Sequence, residues 1–394
     1  MHKILLYILT VGLIVGLFIG CASEEIAPTA PTVTKGSITP VVDPFMATIG
    51  DTTSSCYYVY TPPGYDVNRA QGYPTLYLLN GFGADENYFV ALFSAVDAAD
   101  WLLSRGDIEP MILVFPSGHN NFGGSFYTNS PHPYVGQSAN HILTIVSDVD
   151  LNYNTIEDPA SRGIGGHSMG GYGALSVPLD STGVFGSISV IAAPIAFWGT
   201  KTMPPHNDET YKGIEALLPS ILAETNYDSV LEANPGVGDT AAFRAMFYPA
   251  PDRRLTSMAF AMAAAFSPTN PAAPVPTSIA AVGVDLPINI DGTLYMPVWN
   301  RWMARDIVSR FSGGQLTSLV GVKVYLDAGL DDDLGLYGAH QVFAGALAAA
   351  SMSPDVSLYY DGIPNSESAD IPADHTTHTF ERVKKQLIWH SGQF

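Results

Sequence analysis

The pattern in this chain most able to do chemistry is Gly166-His167-Ser168-Met169-Gly170, inside a longer glycine-rich segment running from Ser161 to Leu175. Gly-x-Ser-x-Gly is the spacing of a nucleophile elbow, a sharp turn that exposes a serine between a strand end and a helix start. Its glycines have a steric cause. The serine backbone is strained, and a side chain on either flank would strike the adjoining strand or helix. Arg162–Gly166 reads as the short buried strand leading in, and Met169–Ser176 as a small-residue helix start leading out. A glycine-rich turn with a surface serine is the bland alternative, and the flanking pattern argues against it. A serine hydroxyl is a weak nucleophile near neutral pH. The chemistry therefore also demands a base within hydrogen-bond reach and a group that orients that base. With two cysteines and scattered histidines, no spacing suits zinc, so neither a metal nor a cofactor is expected.

The elements that must position this serine alternate in the manner of an α/β protein. Strands are expected at 56–61, 75–79, 111–115, 162–166, 186–192, 322–327 and 356–360. Helices are expected at 87–104, 137–150, 169–177, 338–350 and 379–390. Between about Pro194 and Thr317 the rhythm breaks. A single crossover needs roughly 30 residues, and this stretch is about four times longer. Its helical patterns (209–223, 240–248, 255–265, 298–311) read as an insertion over the active-site face, a packing elaboration being the alternative. At the other end, residues 1–21 are a targeting segment. Ile4–Gly20 is apolar apart from Thr10, and Cys21 follows a hydrophobic run and a small residue, as in a bacterial lipoprotein signal. The expectation is an exported protein held to the bacterial membrane through a lipidated Cys21. Residues 22–45, rich in Pro, Thr and Val, read as a tether, and 46–394 as the catalytic domain including insertion 194–317. Cys56 is then alone and reads as a buried small residue.

Five motifs in order carry a family resemblance: Tyr58-Val59-Tyr60-Thr61-Pro62-Pro63-Gly64-Tyr65; Tyr73-Pro74-Thr75-Leu76-Tyr77-Leu78-Leu79-Asn80-Gly81-Phe82-Gly83; Gly123-Gly124-Ser125-Phe126-Tyr127; the elbow; and Tyr325-Leu326-Asp327-Ala328-Gly329-Leu330-Asp331-Asp332. Together they resemble the esterase D type family of α/β-hydrolases, over about residues 50–192 and 320–390. The resemblance implies an α/β-hydrolase fold: a mostly parallel central sheet flanked by helices, with the acid and base following the serine in the chain. The family's Asp-x-Gly-x-x-Asp pattern selects Asp332 as the acid, with Asp331 and Asp333 as rivals and Asp327 bracing the turn. Its His-x-Phe pattern at the start of the last helix selects His378 as the base, with His375 as rival. The oxyanion hole would use the backbone N–H groups of Met169 and Phe82. Asn80 departs from the family's usual histidine. Ser125, Tyr127, His167, Trp299 and Trp302 are the candidate pocket residues.

Composition narrows the substrate. The net charge of −20, from 37 acidic and 17 basic residues, repels nucleic acid and polyanions. The resemblance then implies a serine carboxylic-ester hydrolase acting on a small-molecule or carbohydrate-linked ester, acetyl or feruloyl. An acyltransferase on the same fold is the alternative, and a non-catalytic surface-binding lipoprotein the more distant one. Nothing in the sequence indicates the oligomeric state.

Overall fold

The computed structural model describes residues 33–51, 53–198, 218, 240–249, 254–289, 291–314, 318–359 and 373–394. The signal segment with Cys21, most of the expected helix 209–223, and His206 lie outside them. In chain order the first elements are β1 (Ser37–Val42), α1 (Pro44–Thr48), β2 (Cys56–Thr61), β3 (Thr75–Leu79), α2 (Tyr88–Ala91), α3 (Ala95–Arg105) and β4 (Ile112–Phe115). Next come α4 (Ser138–Asn152), β5 (Arg162–His167), α5 (Met169–Asp180) and β6 (Ser187–Ile191). The insertion contributes α6 (Thr240–Phe247), α7 (Arg254–Phe266), the short pair β7 (Ser278–Ile279) and β8 (Val284–Asp285), α8 (Met296–Met303) and α9 (Ile307–Ser312). The chain closes with β9 (Lys323–Gly329), α10 (Tyr337–Ala349), β10 (Asp355–Tyr359) and α11 (Thr379–Ser391).

Among the described residues one eight-stranded sheet has the order β1-β2-β4-β3-β5-β6-β9-β10. From β4 to β10 every pairing is parallel, while β2 runs antiparallel to both β4 and β1. Such a sheet needs helices on both faces, and β3 shows why. All five of its residues are buried. Tyr77 and Leu79 point into the core shared with α4, α5, α10 and the insertion, whereas Leu76 and Leu78 point into the core under α2, α3 and α11.

Three expectations need correction. Residues 37–42, assigned to the tether, form the edge strand β1. Pro40 and an exposed Val42 make the segment read as linker, but an edge strand tolerates proline because one of its sides needs no partner. The expected helix 87–104 is two helices, interrupted at Ser94, which adopts the left-handed conformation (φ 51°). The expected helix 298–311 also breaks, because Asp306 caps α9 by accepting the N–H of Ser309 at 2.6 Å.

Candidate active site

Ser168 stands between the end of β5 and the start of α5 with φ 56° and ψ −120°, a conformation closed to most side-chain-bearing residues. Its N–H donates to the carbonyl of Ile191 at 2.8 Å, which fixes the turn to β6. A Cβ on Gly166 would fall on the carbonyl of Gly170, and one on Gly170 on the carbonyl of Leu79. The turn therefore excludes any larger residue on either side of the half-buried serine.

Two groups complete a hydrogen-bonded chain. His375 Nε2 lies 3.0 Å from Ser168 Oγ, and His375 Nδ1 lies 2.8 Å from Asp332 Oδ2. The carboxylate can only accept, so Nδ1 carries the proton and Nε2 is free to accept the serine's. Asp332 follows β9, where its other oxygen accepts the N–H of Leu334 at 2.9 Å. Both Asp332 and His375 are buried. Asp333 is exposed and pairs with Arg254 at 3.2 Å; Asp331 is exposed as well. Asp327 is fully buried against Arg382 and the hydroxyl of Tyr325.

The expected base is displaced by one turn of chain: His375, and not His378, faces Ser168. The cause is a local turn. Asp374 Oδ1 accepts the N–H groups of Thr376 and Thr377 at 2.8 and 2.7 Å, while Thr377 Oγ1 accepts the N–H of Asp374 at 2.9 Å. This Asx-type turn aims His375 inward. His378 sits beyond it as the left-handed residue (φ 59°) that starts α11.

Phe82, Phe126, Ser168, Met169, Pro194, Met258, Leu334 and Leu336 line a narrow cleft, apolar apart from the serine. The N–H of Met169 belongs to the first turn of α5, where helix geometry offers it no acceptor. Phe82 shares the cleft, so both expected oxyanion donors come from residues bordering Ser168. Among the described residues, Pro194 and Met258, the latter on α7, are the insertion's contribution. Pro249 packs beside Gly83, next to Phe82, and beside Gly123.

The other candidate pocket residues lie elsewhere. Ser125 and Tyr127 are buried; the Tyr127 hydroxyl donates to Asn80 Oδ1 at 2.7 Å and Ser125 Oγ accepts the N–H of Tyr127 at 3.1 Å. Trp299 and Trp302 are core residues with no exposed surface, and Trp302 Nε1 donates to Ser267 Oγ at 2.7 Å. His167 is buried behind His375 rather than facing the cleft. Its Nε2 lies 2.7 Å from the His375 carbonyl and its Nδ1 2.8 Å from the Tyr88 hydroxyl. Burial, with His375 nearby, holds its pKa well below the ordinary histidine value, so it is neutral.

Two residues escaped sequence reasoning. Tyr88 gave no signal beyond helix periodicity. Asn80 was noted only as a departure, yet it ties two loops together. Its Nδ2 donates to the carbonyls of Gly81 and Ala84 at 2.9 and 2.7 Å, and its Oδ1 accepts from Gly118 N–H at 2.8 Å as well as from Tyr127. Asp332, Asp333 and His375 also bring possible metal-binding atoms within 4.8 Å of one another. Two of the three are already committed to each other and to Ser168.

Comparison with known proteins adds a likeness to a family. Residues 53–228 match the family described as "Putative esterase". A protein named esterase from Mycobacterium tuberculosis (strain ATCC 25618 / H37Rv) is 31% identical over 125 residues, 31% of this chain and 25% of that one. An endo-1,4-beta-xylanase/feruloyl esterase from Xylanibacter ruminicola is 29% identical over 133 residues, 32% of this chain and 18% of that one. The chain thus spans a quarter or less of the length of these curated relatives. Among solved structures, a ferulic acid esterase superposes over 92% of this chain and 100% of its own, with a TM-score of 0.55 at 16% identity. An S-formylglutathione hydrolase from Agrobacterium tumefaciens covers 92% and 97%, with a TM-score of 0.50 at 14% identity. At such identities the structures speak for the fold alone, which is that of the α/β-hydrolases. Through residues 53–228, on that fold, the chain is similar to the esterase family.

Proposed function

We propose that this protein is a serine carboxylic-ester hydrolase working through an acyl-enzyme on Ser168. The observation that carries the reading is the continuous chain Ser168 Oγ–His375–Asp332 at 3.0 and 2.8 Å, beside the helix-start N–H of Met169. His375 Nε2 takes the hydroxyl proton as Oγ attacks the ester carbonyl, and Asp332 stabilises the imidazolium that results. The carbonyl oxygen becomes an oxyanion held by the N–H groups of Met169 and Phe82. Collapse breaks the carbon–oxygen bond to the alcohol, which leaves with the proton from His375. Water, deprotonated by the same histidine, then releases the acid and restores the serine.

The cleft beside Ser168 is lined by apolar side chains, which suits an apolar acyl group over a charged one. The names of relatives and neighbours, feruloyl and ferulic acid esterases among them, support an aromatic acyl group on a carbohydrate alcohol. The decisive experiment compares wild type with Ser168→Ala on acetyl and feruloyl esters, with a serine-reactive phosphonate as label. Turnover should fall by about 10⁴-fold or more, and only wild type should take the label. A folded Ser168→Ala protein that still hydrolyses these esters at a near-normal rate sinks the proposal.

A further inference from the structure

The side chain just before the nucleophile makes a bond that the reaction scheme above leaves unused. His167 Nε2 lies 2.7 Å from the backbone carbonyl of His375, and the two imidazole rings sit 4.7 Å apart at 54°. A carbonyl can only accept, so Nε2 carries the hydrogen. Nδ1 must then accept, and the Tyr88 hydroxyl donates to it at 2.8 Å. The tautomer is thus set from the far side of the ring by a residue of α2, whose phenol also packs beside Gly81. Reversing the tautomer would put two acceptors face to face in a site where His167 has almost no exposure. Arg382 Nη1 donates to the same His375 carbonyl at 3.4 Å, so that oxygen is gripped from two directions.

We infer that Tyr88 and His167 form a positioning pair, which holds the backbone of His375 so that its imidazole stays aimed at Ser168 Oγ. His375 needs this help because it lies in a turn between Ala373 and the start of α11, and not inside a helix or strand. The Asx-type turn fixes the direction of the loop, and the His167 bond fixes its distance from β5. A base displaced by about 1 Å forfeits on the order of 10²-fold in rate. The pair touches neither substrate nor reacting atoms. It acts through His375 and rests on the reading of His375 as the base.

Three variants separate this role from ordinary packing. His167→Phe keeps a ring but removes the donor, His167→Gln restores an N–H at a similar reach, and Tyr88→Phe removes one oxygen only. On a chromogenic short-chain ester, His167→Phe should lower kcat by about 10- to 100-fold with KM within about threefold. His167→Gln should recover most of that loss, and Tyr88→Phe should lose about three- to tenfold in kcat. The rate of phosphonate labelling of Ser168 should follow kcat across the set. If His167→Phe or Tyr88→Phe labels and turns over within twofold of wild type, the inference is overturned. It is equally overturned if His167→Gln and His167→Phe are impaired alike, since that points to packing. Should His167→Phe fail to fold, Tyr88→Phe decides alone. Failure of the underlying reading looks different: His375→Ala would then keep its activity, whatever the His167 variants do.

Discussion

A serine oxygen 3.0 Å from an imidazole nitrogen is poised for proton transfer only while that imidazole is held still, and the loop holding it offers two histidines, His375 and His378. The geometry assigns the task to His375. His375→Ala should therefore reduce kcat/KM by about 10³- to 10⁴-fold, and Asp332→Asn by a similar factor through loss of the correct tautomer. His378→Asn, which keeps a residue tolerant of the left-handed backbone at the start of α11, should stay within about threefold of wild type. Steady-state hydrolysis of one chromogenic ester by the three variants checks this, and a dead His378→Asn with a live His375→Ala would reverse the assignment. The position of Ser168 is legible in the sequence because the elbow requires Gly166 and Gly170, whereas Asp332 is singled out among its acidic neighbours only by the Asp-x-Gly-x-x-Asp pattern of the family the chain resembles. The base carries no such local signature. Its register depends on a turn made by Asp374 and Thr377 and on a bond from His167, more than 200 positions away.

At the scale of elements, α11 is docked by polar groups as much as by apolar ones. Arg382, Gln386 and His390 recur at helical spacing and are all fully buried. Arg382 Nε lies 3.4 Å from Asp327 Oδ1; Gln386 Nε2 donates to Ser189 Oγ at 2.7 Å; and His390 contacts Ser187 and Ser189 at 2.8 and 2.7 Å. The same helix begins just after His375, so its seat sets where the base can be. Removing one partner of a buried ion pair leaves the other uncompensated, so Arg382→Met should cost about 3–5 kcal/mol, measured by denaturant unfolding. The seam also makes stability pH-dependent. Burial holds the pKa of His390 in this seam down at about 3, and that of His340 on α10, where its Nε2 accepts the N–H of Ala193, at about 4, against an ordinary 6.5. Between those values and 6.5 the unfolded chain binds more protons than the folded one. Each histidine thus contributes stability that is full above pH 6.5 and declines as pH falls, by up to about 1.4 kcal/mol per pH unit. Unfolding free energy should drop steadily from pH 6.5 to about 4. A flat profile there would show that these histidines are not buried neutral. Sequence periodicity found α11 and most of the sheet, since buried strands and long helices announce themselves by pattern. It missed β1, whose Pro40 and exposed valine carry a linker's composition and whose strand character comes only from pairing with β2.

At the scale of the whole molecule, the insertion proves to be part of the core and part of the site at once. Phe243, Phe260, Phe266, Trp299, Trp302 and Phe311 lie in the same apolar cluster as α4 and α5. Arg310 from α9 ties back to α5 through Ser176 and Asp180. The tryptophans expected in the pocket are thus spent on packing, and composition alone offers no means to tell the two uses apart. Among the described residues of the insertion, Met258 lines the cleft together with Pro194, Phe82, Phe126, Leu334 and Leu336. On the proposed ester chemistry a methionine there would bound the space for the acyl group, being unbranched and able to fill an irregular gap. Met258→Ala should open the cleft and raise kcat/KM for bulky acyl esters relative to acetyl by roughly tenfold, the scale on which a hydrophobic pocket discriminates. Trp302→Ala should do the opposite kind of damage. It should cost about 3–5 kcal/mol of stability and leave the ratio of bulky to acetyl turnover unchanged at temperatures where the protein stays folded. Measuring that ratio and the thermal midpoint on both variants tests the division of labour. A Trp302→Ala protein with a shifted acyl profile, or a Met258→Ala protein without one, would return the tryptophans to the pocket and remove the methionine from it.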